Sequence, residues 1–170
     1  MLSDKLAAAL NDQMNFELLS AHYYLAMAAY CEAEDLDGFA HFFWVQAEEE
    51  QFHARKFYNF LNENGARARF QAIDEPQNDF NDLAAVFELA LEHEKKVTGR
   101  IYDLMDLAQE ESEHATVSFL NWFVEEQVEE EDTMETLLSK IEKVNTEGIF
   151  MLDKELAQRT FTPPAEDGAE

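Results

Sequence analysis

Four glutamates and one histidine stand where a helical chain would be expected to bury apolar side chains. When each predicted helix is followed along its heptad-spaced apolar seam, in steps of three and four residues, acids interrupt it at Glu17, Glu50, Glu94 and Glu130. His53 follows Glu50 by three residues and shares its helix face. Carboxylates with one imidazole suit Fe(II) or Mn(II), whereas structural zinc prefers Cys and His. These residues therefore indicate metal chemistry inside a helical core.

The spacing of the acids predicts that they meet at one level of that core. Glu50 follows Glu17 by 33 residues, and Gln127 follows Glu94 by the same interval. His53 follows Glu17 by 36 residues, and Glu130 follows Glu94 by 36. The midpoints of both pairs fall inside predicted hairpin turns, and residues equidistant from a turn lie at one height on antiparallel helices. Unpaired buried carboxylates would be very unstable, and two divalent cations would balance four of them. A buried hydrogen-bond network without metal is the alternative.

Five helices are predicted to position these residues. Gly and Pro are scarce, at 5 and 3 of 170 residues, which favours helices over strands. Ser3 and Ser112 are predicted to cap helix N-termini, and Gly65 to end a helix. The predicted helices run from about Asp4 to Glu32, Leu36 to Asn64, Asp79 to Gln109, Ser112 to Asn145 and Gly148 to Arg159.

The segment 65–78 is predicted to connect two helical hairpins. Its 14 residues reach about 45 Å when extended, and a helix of 28 residues is roughly 42 Å long. The connection can therefore run the full length of the bundle. The predicted fold class is all-α, a four-helix bundle with one long crossover and a short fifth helix. Residues 1–160 would form one domain, and 161–170 an acidic, disordered tail.

Composition and net charge indicate which partners are excluded and where the protein is expected to be located. A net charge of −25 argues against binding nucleic acid or an anionic membrane. The longest charge-free run, Leu18 to Cys31, is too short to span a membrane. With a single cysteine and no visible signal peptide, a cytoplasmic location is expected. The acidic surface either keeps the protein soluble or concentrates cations, and composition does not choose between these.

Five short motifs accompany the acids: NFE at 15–17, YY at 23–24, EEQFH at 49–53, HE at 93–94 and WFVEEQ at 122–127. A lone E-x-x-H is a weak signal, but the whole set resembles the non-haem ferritins of bacteria. The resemblance covers about Asp4 to Arg159. It implies a ferritin-like four-helix bundle that oxidises Fe(II) with O2 or peroxide and stores ferric mineral in a homo-oligomeric shell of 24 subunits. The fifth helix would pack at a symmetry axis of this shell.

The resemblance also implies which residues hold iron. The first iron would be held by Glu17, Glu50 and His53, with Glu50 bridging. The second would be held by Glu50, Glu94 and Glu130, with Gln127 beside them. Together with Tyr24, the four glutamates and the histidine are the candidate catalytic residues.

Two positions depart from related proteins in informative ways. By the resemblance, Gln127 and Glu130 stand where bacterioferritins and rubrerythrins have a second E-x-x-H pair. Because Gln is a neutral, weak ligand, the second iron should be held less tightly. Phe52 stands where bacterioferritins tend to carry the haem-ligating Met, so no haem is expected.

A third iron position of many bacterial ferritins maps to Glu49, Glu126, Glu129 and Glu130. The last three share one helix face with Trp122. A solvated acidic face is the alternative, since charge runs are usually exposed.

Tyr24 lies two helical turns after Glu17 on the same face. It could hydrogen-bond a ligand or donate an electron, or it could be a core Tyr with a satisfied hydroxyl. Trp122 could relay electrons, although packing is the simpler interpretation. Cys31 is predicted to be a core residue.

Three other functions remain possible on this sequence. A soluble di-iron oxidase or peroxidase would share the centre without storing mineral. A structural bundle would keep the polar layer without metal. A mini-ferritin that coats DNA fits less well. The metal site of mini-ferritins lies between subunits, whereas this chain carries a complete set of candidate ligands within one bundle.

Overall fold

The computed structural model describes residues 2–163 and is helical. Its helices are α1 (Asp4–Ala33), α2 (Asp37–Glu63), α3 (Leu83–Glu110), α4 (His114–Lys143) and α5 (Thr146–Leu156). Within this range there is no strand, so the all-α prediction is confirmed. None of these helices is long and apolar enough to cross a membrane. Most of the predicted disordered tail, residues 164–170, lies outside the described residues.

The helix ends follow local hydrogen bonding, and the predicted starts of α3, α4 and α5 are wrong. α5 begins at Thr146, after its N-cap Asn145, instead of at Gly148. The Ser3 hydroxyl accepts a hydrogen bond from the Leu6 amide at 3.0 Å, as predicted for an N-cap. The start of α3 falls at Leu83 instead of Asp79, because the Asp82 carboxylate accepts from the Ala85 amide at 2.8 Å. Ser112 does not cap α4. It has a φ of +56° and belongs to the turn that ends α3.

Three helices end in the same way, with one residue in the left-handed conformation. Asp35, Gly65 and Ser112 have φ values of 57°, 77° and 56°. After each of them an amide reaches back to a carbonyl five residues earlier, as in Glu113 to Ala108 at 2.8 Å. This Schellman arrangement satisfies carbonyls that the helix leaves unpaired. Gly65 is therefore the helix terminator that the sequence predicts.

The bundle is two hairpins joined by one long crossover. α1 packs along α2, and α3 packs along α4. The crossover runs beside α1. Asn11 and Asn15 donate to the Arg69 carbonyl near the start of that helix, at 3.0 and 2.8 Å. Phe80 packs against Tyr30 near its other end, with ring centroids 5.1 Å apart. The predicted crossover along the full bundle is confirmed.

The apolar core is divided into two clusters with a polar layer between them. One cluster includes Phe39, Phe43 and Phe87, and the other includes Phe57 and Phe123, all almost fully buried. Each such side chain contributes roughly 2 kcal/mol by leaving water. The four predicted seam acids fall in the chain segments between the two clusters. The two apolar clusters therefore stabilise the bundle, whereas the polar layer between them does not contribute to its stability.

α5 is fixed to the beginning of α2 by a shared carboxylate. Asp153 accepts hydrogen bonds from the amides of Gly38 and Phe39 at 2.8 and 3.0 Å, and so caps α2, whose own N-cap residue forms no side-chain bond. A Cβ on Gly38 would lie 1.7 Å from the Asp153 carbonyl oxygen, so only glycine permits this approach. Phe150 and Met151, on the other side of α5, are 61% and 75% exposed.

Candidate metal centre

Glu17, Glu50 and His53 come together in the polar layer. One ligand atom from each can be chosen so that all three lie within 4.8 Å of one another. The three residues are buried, with at most 3% of their surface exposed. The His53 Nδ1 atom lies 3.6 Å from a Glu50 carboxylate oxygen. α1 and α2 thus supply two carboxylates and an imidazole to one point, a donor set that fits a divalent cation.

The other hairpin supplies Glu94 and Glu130 to the same layer. Glu94 is fully buried and Glu130 is 7% exposed. Burial raises the pKa of Glu94 to about 8, with repulsion from Glu130 adding to it and hydrogen bonds from Tyr24 and Gln127 opposing it. Both acids also repel Glu50. The structure therefore brings together the four glutamates that the sequence singled out.

The charge of this layer is unbalanced without a cation. Burial, followed by repulsion from other glutamates, raises the pKa of Glu17 and of Glu50 well above the usual range. An Oε2 atom of each residue is buried and has no hydrogen-bond partner among the described residues. A buried acceptor without a partner is costly, and two divalent cations would satisfy both the charge and the free oxygens. The residues present thus fit a dinuclear metal site.

Three glutamines orient the carboxylates. Each donates its amide N–H to one oxygen of a buried acid. The second oxygen of Glu94 accepts from Tyr24, whereas the second oxygen of Glu17 has no hydrogen-bond partner among the described residues. The pairs are Gln13 to Glu17 at 2.9 Å, Gln46 to Glu130 at 2.8 Å, and Gln127 to Glu94 at 3.0 Å. Gln127 is a predicted site residue, and here it donates a hydrogen bond to Glu94, a candidate ligand. Gln13 and Gln46 were not predicted as site residues, although each lies one helical turn before a seam acid, Glu17 or Glu50, which was a usable signal.

Tyr24 is fully buried and donates its hydroxyl hydrogen to a Glu94 oxygen. Its ring lies against Phe43, with centroids 5.9 Å apart. Burial, followed by the negative charges of Glu94, Glu50 and Glu130, raises the pKa of the phenol well above its usual range. Tyr24 therefore stays protonated and holds a candidate ligand in place. Its predicted part in electron transfer stays a prediction.

An acidic pocket adjoins the polar layer on the side of α4. The cavity has a volume of about 200 Å³. Its lining includes the four residues predicted for a third iron, which are Glu49, Glu126, Glu129 and Glu130. Burial raises the pKa of Glu49 to about 7, with repulsion from Glu130 adding to it and Arg159 opposing it. These four acids line one concave cavity, although Glu129 is exposed, and a third iron position there stays a prediction.

Arg159 is the residue at this pocket that the sequence analysis missed. Its Nη2 atom lies 2.9 Å from a Glu49 oxygen. No motif indicates it, and the sequence predicts Arg159 as the end of the fifth helix, whereas α5 ends at Leu156.

Several other residues have structural roles. His93 turns away from the acids to stack on Phe16, and its Nε2 atom lies 2.7 Å from the Ser20 hydroxyl oxygen. Burial lowers the pKa of His93 to about 4, so the ring is neutral. Trp122 packs edge-on to His53, with centroids 5.4 Å apart. Cys31 is fully buried, and burial raises the pKa of its thiol to about 12, as expected for a core residue.

Fold and site together define a class of protein: four-helix bundles whose core carries a carboxylate layer suited to two metal ions. Comparison with known proteins narrows the class. The model of the ferritin-like domain family matches residues 7–144. Bacterial non-heme ferritins of Staphylococcus aureus (strain USA300) and Staphylococcus epidermidis are 47% and 46% identical to this chain over 163 residues, which cover 95% of this chain and 98% of each relative. The chain therefore belongs to the ferritin family.

Solved structures agree with this assignment. A closed form of the Archaeoglobus fulgidus ferritin, engineered by mutagenesis, superposes with a TM-score of 0.93 at 40% identity, covering 95% of this chain and 100% of that one. A humanized archaeal ferritin gives a TM-score of 0.94 at 41% identity, covering 96% and 100%. The predicted fold and family are both confirmed.

Proposed function

We propose that this chain is the subunit of an iron-storage ferritin that oxidises Fe(II) in its polar layer and holds the product as ferric oxyhydroxide mineral. One observation carries the proposal. Two hairpins deliver four glutamates to one buried layer, and Glu17 and Glu50 each keep a buried oxygen that has no hydrogen-bond partner within residues 2–163. Membership of the ferritin family and the names of the relatives agree with it.

The residues divide into two iron positions. Glu17 and His53 would hold the first Fe(II), and Glu94 and Glu130 the second, with Glu50 between both. Anionic oxygen donors stabilise Fe(III) more than Fe(II), because the higher charge gains more from the same carboxylates. Two Fe(II) ions supply two electrons, which reduce O2 to hydrogen peroxide or peroxide to water.

Proton release accompanies iron binding in this proposal. Without metal, the raised pKa of Glu94, to about 8, means that its carboxyl carries a proton at neutral pH. Binding of Fe(II) displaces that proton, because a coordinating carboxylate must be ionised. Tyr24 and Gln127 keep the carboxylate oriented while the charge changes. Gln127 beside the second position makes it the weaker of the two, which suits an ion that must leave as mineral grows.

Storage requires a shell, and α5 offers a surface for assembly. Phe150 and Met151 are large, exposed apolar side chains on a helix only 11 residues long. Such a face is stabilised by burial against other subunits. The proposal places it at a symmetry axis of a 24-subunit homo-oligomer in the cytoplasm. The net charge of −25 would draw Fe(II) towards this shell.

Replacement of the residue shared by both iron positions tests the proposal. Glu50→Ala should abolish the rapid phase of aerobic Fe(II) oxidation, followed as Fe(III) absorbance in a stopped-flow instrument. Glu48→Ala is the matched control, because Glu48 is an exposed glutamate on the same helix. Both variants should elute like the parent protein on size exclusion. Rapid oxidation by an assembled Glu50→Ala variant would contradict the centre.

A further inference from the structure

The chain that follows α5 returns to the acidic pocket and places a positive charge in it. Arg159 lies three residues after the end of α5. Its Nη2 atom is 2.9 Å from the Glu49 Oε2 atom, and both side chains are largely buried. The guanidinium carbon also lies 4.5 Å from the centroid of the Phe42 ring. The guanidinium is therefore held at the pocket by a charge pair and by an aromatic face.

Residues 159–162, called the strap below, are anchored at Arg159 itself and at Phe161. The Arg159 carbonyl accepts a hydrogen bond from the His41 Nε2 atom at 2.8 Å. Phe161 packs edge-on to Phe52, with ring centroids 5.6 Å apart. Arg159, Phe161 and Thr162 of the strap line the same cavity as the four glutamates. The strap thus forms one wall of the pocket that would receive a third cation.

The geometry of the Arg159–Glu49 ion pair allows an entering cation to replace the guanidinium. Contact is made through one nitrogen and one oxygen, and the Arg159 Nη1 atom is buried without a hydrogen-bond partner among the described residues. A guanidinium that forms two parallel bonds would be held more firmly. Glu49 cannot pair with Arg159 and coordinate a cation with the same oxygen. Repulsion between the guanidinium and the entering ion adds to this competition.

We propose that Arg159 is a built-in counter-ion that competes with the third cation for Glu49 and so keeps occupancy of this pocket transient. The inference rests on the proposed function, since it requires that the dinuclear centre bind metal. A cation enters when the guanidinium leaves Glu49, and the guanidinium returns when the cation moves on. The pocket then works as a passage next to the dinuclear centre, with which it shares Glu130, and not as a resting place.

Anaerobic titration with Mn²⁺, with the free ion counted by electron paramagnetic resonance, tests this role. Mn²⁺ suits oxygen ligands and undergoes no oxidation without an oxidant. Arg159→Gln should bind the third ion at least about tenfold more tightly than the parent protein, with the first two ions changed much less. Lys154→Gln is the matched control, because it removes one positive charge from an exposed site on α5. Its third-ion affinity should not change.

Two further variants separate charge from shape and assign the third ion. Arg159→Lys keeps the charge and should stay within about threefold of the parent protein. The double variant Glu126→Gln, Glu129→Gln should lose the third ion and keep the first two.

Quenching of tryptophan fluorescence by Mn²⁺ gives a second readout in a Trp44→Phe background, where Trp122 at the pocket is the one remaining tryptophan. Trp122 emission should be quenched at lower Mn²⁺ when Arg159 is Gln.

The outcomes distinguish the two proposals. An unchanged or weaker third ion in Arg159→Gln, with two firmly bound ions, would overturn the counter-ion role and leave the dinuclear centre standing. A Lys variant that binds as tightly as the Gln variant would also overturn it. Parent protein that takes up fewer than two ions per chain would overturn both proposals.

Discussion

Neutralising Glu94 should make the metal-free protein more stable while damaging the metal site. The pKa of this fully buried carboxyl is raised from 4.5 to about 8. The stability that the protonated Glu94 carboxyl contributes to the folded state is therefore fully present below pH 4.5. It is lost as the pH rises to about 8. At pH 7 the unfolded carboxyl is ionised and the folded one is protonated, which lowers the free energy of unfolding by about 3 kcal/mol at roughly 1.4 kcal/mol per pH unit.

Glu94→Gln removes this penalty at a smaller cost. The carboxamide can still accept from Tyr24, but Gln127 must turn its amide to keep a hydrogen bond. One weakened hydrogen bond costs about 1 kcal/mol. The net expectation at pH 7 without metal is a gain of about 2 kcal/mol. The gain should disappear by pH 5, because the penalty there has fallen to about 1 kcal/mol, close to the cost of the weakened hydrogen bond.

Bound metal should make the parent protein more stable than the Glu94→Gln variant, the reverse of the order expected without metal. Saturating Mn²⁺ stabilises the parent protein by binding the folded state, and it should stabilise the Gln variant much less, because the second position loses an anionic ligand. Thermal unfolding followed by circular dichroism, at matched protein concentration, pH 5 and 7, with chelator or with Mn²⁺, measures all four conditions. Glu92→Gln, at an exposed site on α3, is the control and should change little. A Gln variant that is less stable than the parent at pH 7 in chelator, or whose gain does not depend on pH, would refute the reasoning.

Three further outcomes follow from the packing. Asp153→Ala should lower stability by about 1 kcal/mol in thermal unfolding, because α2 loses its cap, and Asp153→Asn should recover most of the loss. Phe57→Ala should cost about 3–5 kcal/mol in denaturant unfolding, whereas Phe70→Ala, at a side chain 69% exposed, should cost far less; equal losses would contradict the core assignment. Deletion of residues 147–170 should abolish the large assembly by light scattering while the bundle keeps its helical signal, and an intact shell would refute the role of α5.

Periodic parts of the molecule could be predicted from the sequence. The seams of the four long helices identify the buried positions, and their equal spacing about the two turns places Glu17, Glu50, Glu94 and Glu130 in one layer. The structure shows this layer. It could be predicted because the register of an antiparallel hairpin has little freedom once the buried face of each helix is fixed. Ser3 and Gly65 were also identified correctly, since a hydroxyl before a helix and a glycine after it have local, residue-specific effects.

Features that depend on tertiary contact or on competing local bonds could not be predicted. Ser112 could cap the following helix or end the preceding one, and the backbone bonds of the left-handed turn decide for the second. The cap of α2 comes from Asp153, more than a hundred residues away. Arg159 reaches Glu49 across 110 residues of sequence, because the chain after α5 returns to α2. Nothing in the local sequence of either partner indicates the pair.

Aerobic addition of Fe(II) to the purified metal-free protein, followed by size exclusion with iron and protein detected together, tests the central claim most directly. The account predicts oxidation much faster than in buffer, and far more iron than the dinuclear centre and the third position can hold, co-eluting with protein in a very large particle. Fast oxidation with only a few ions per chain on a small oligomer would instead indicate a soluble di-iron oxidase. Oxidation no faster than in buffer would contradict the account and leave the polar layer as a structural feature.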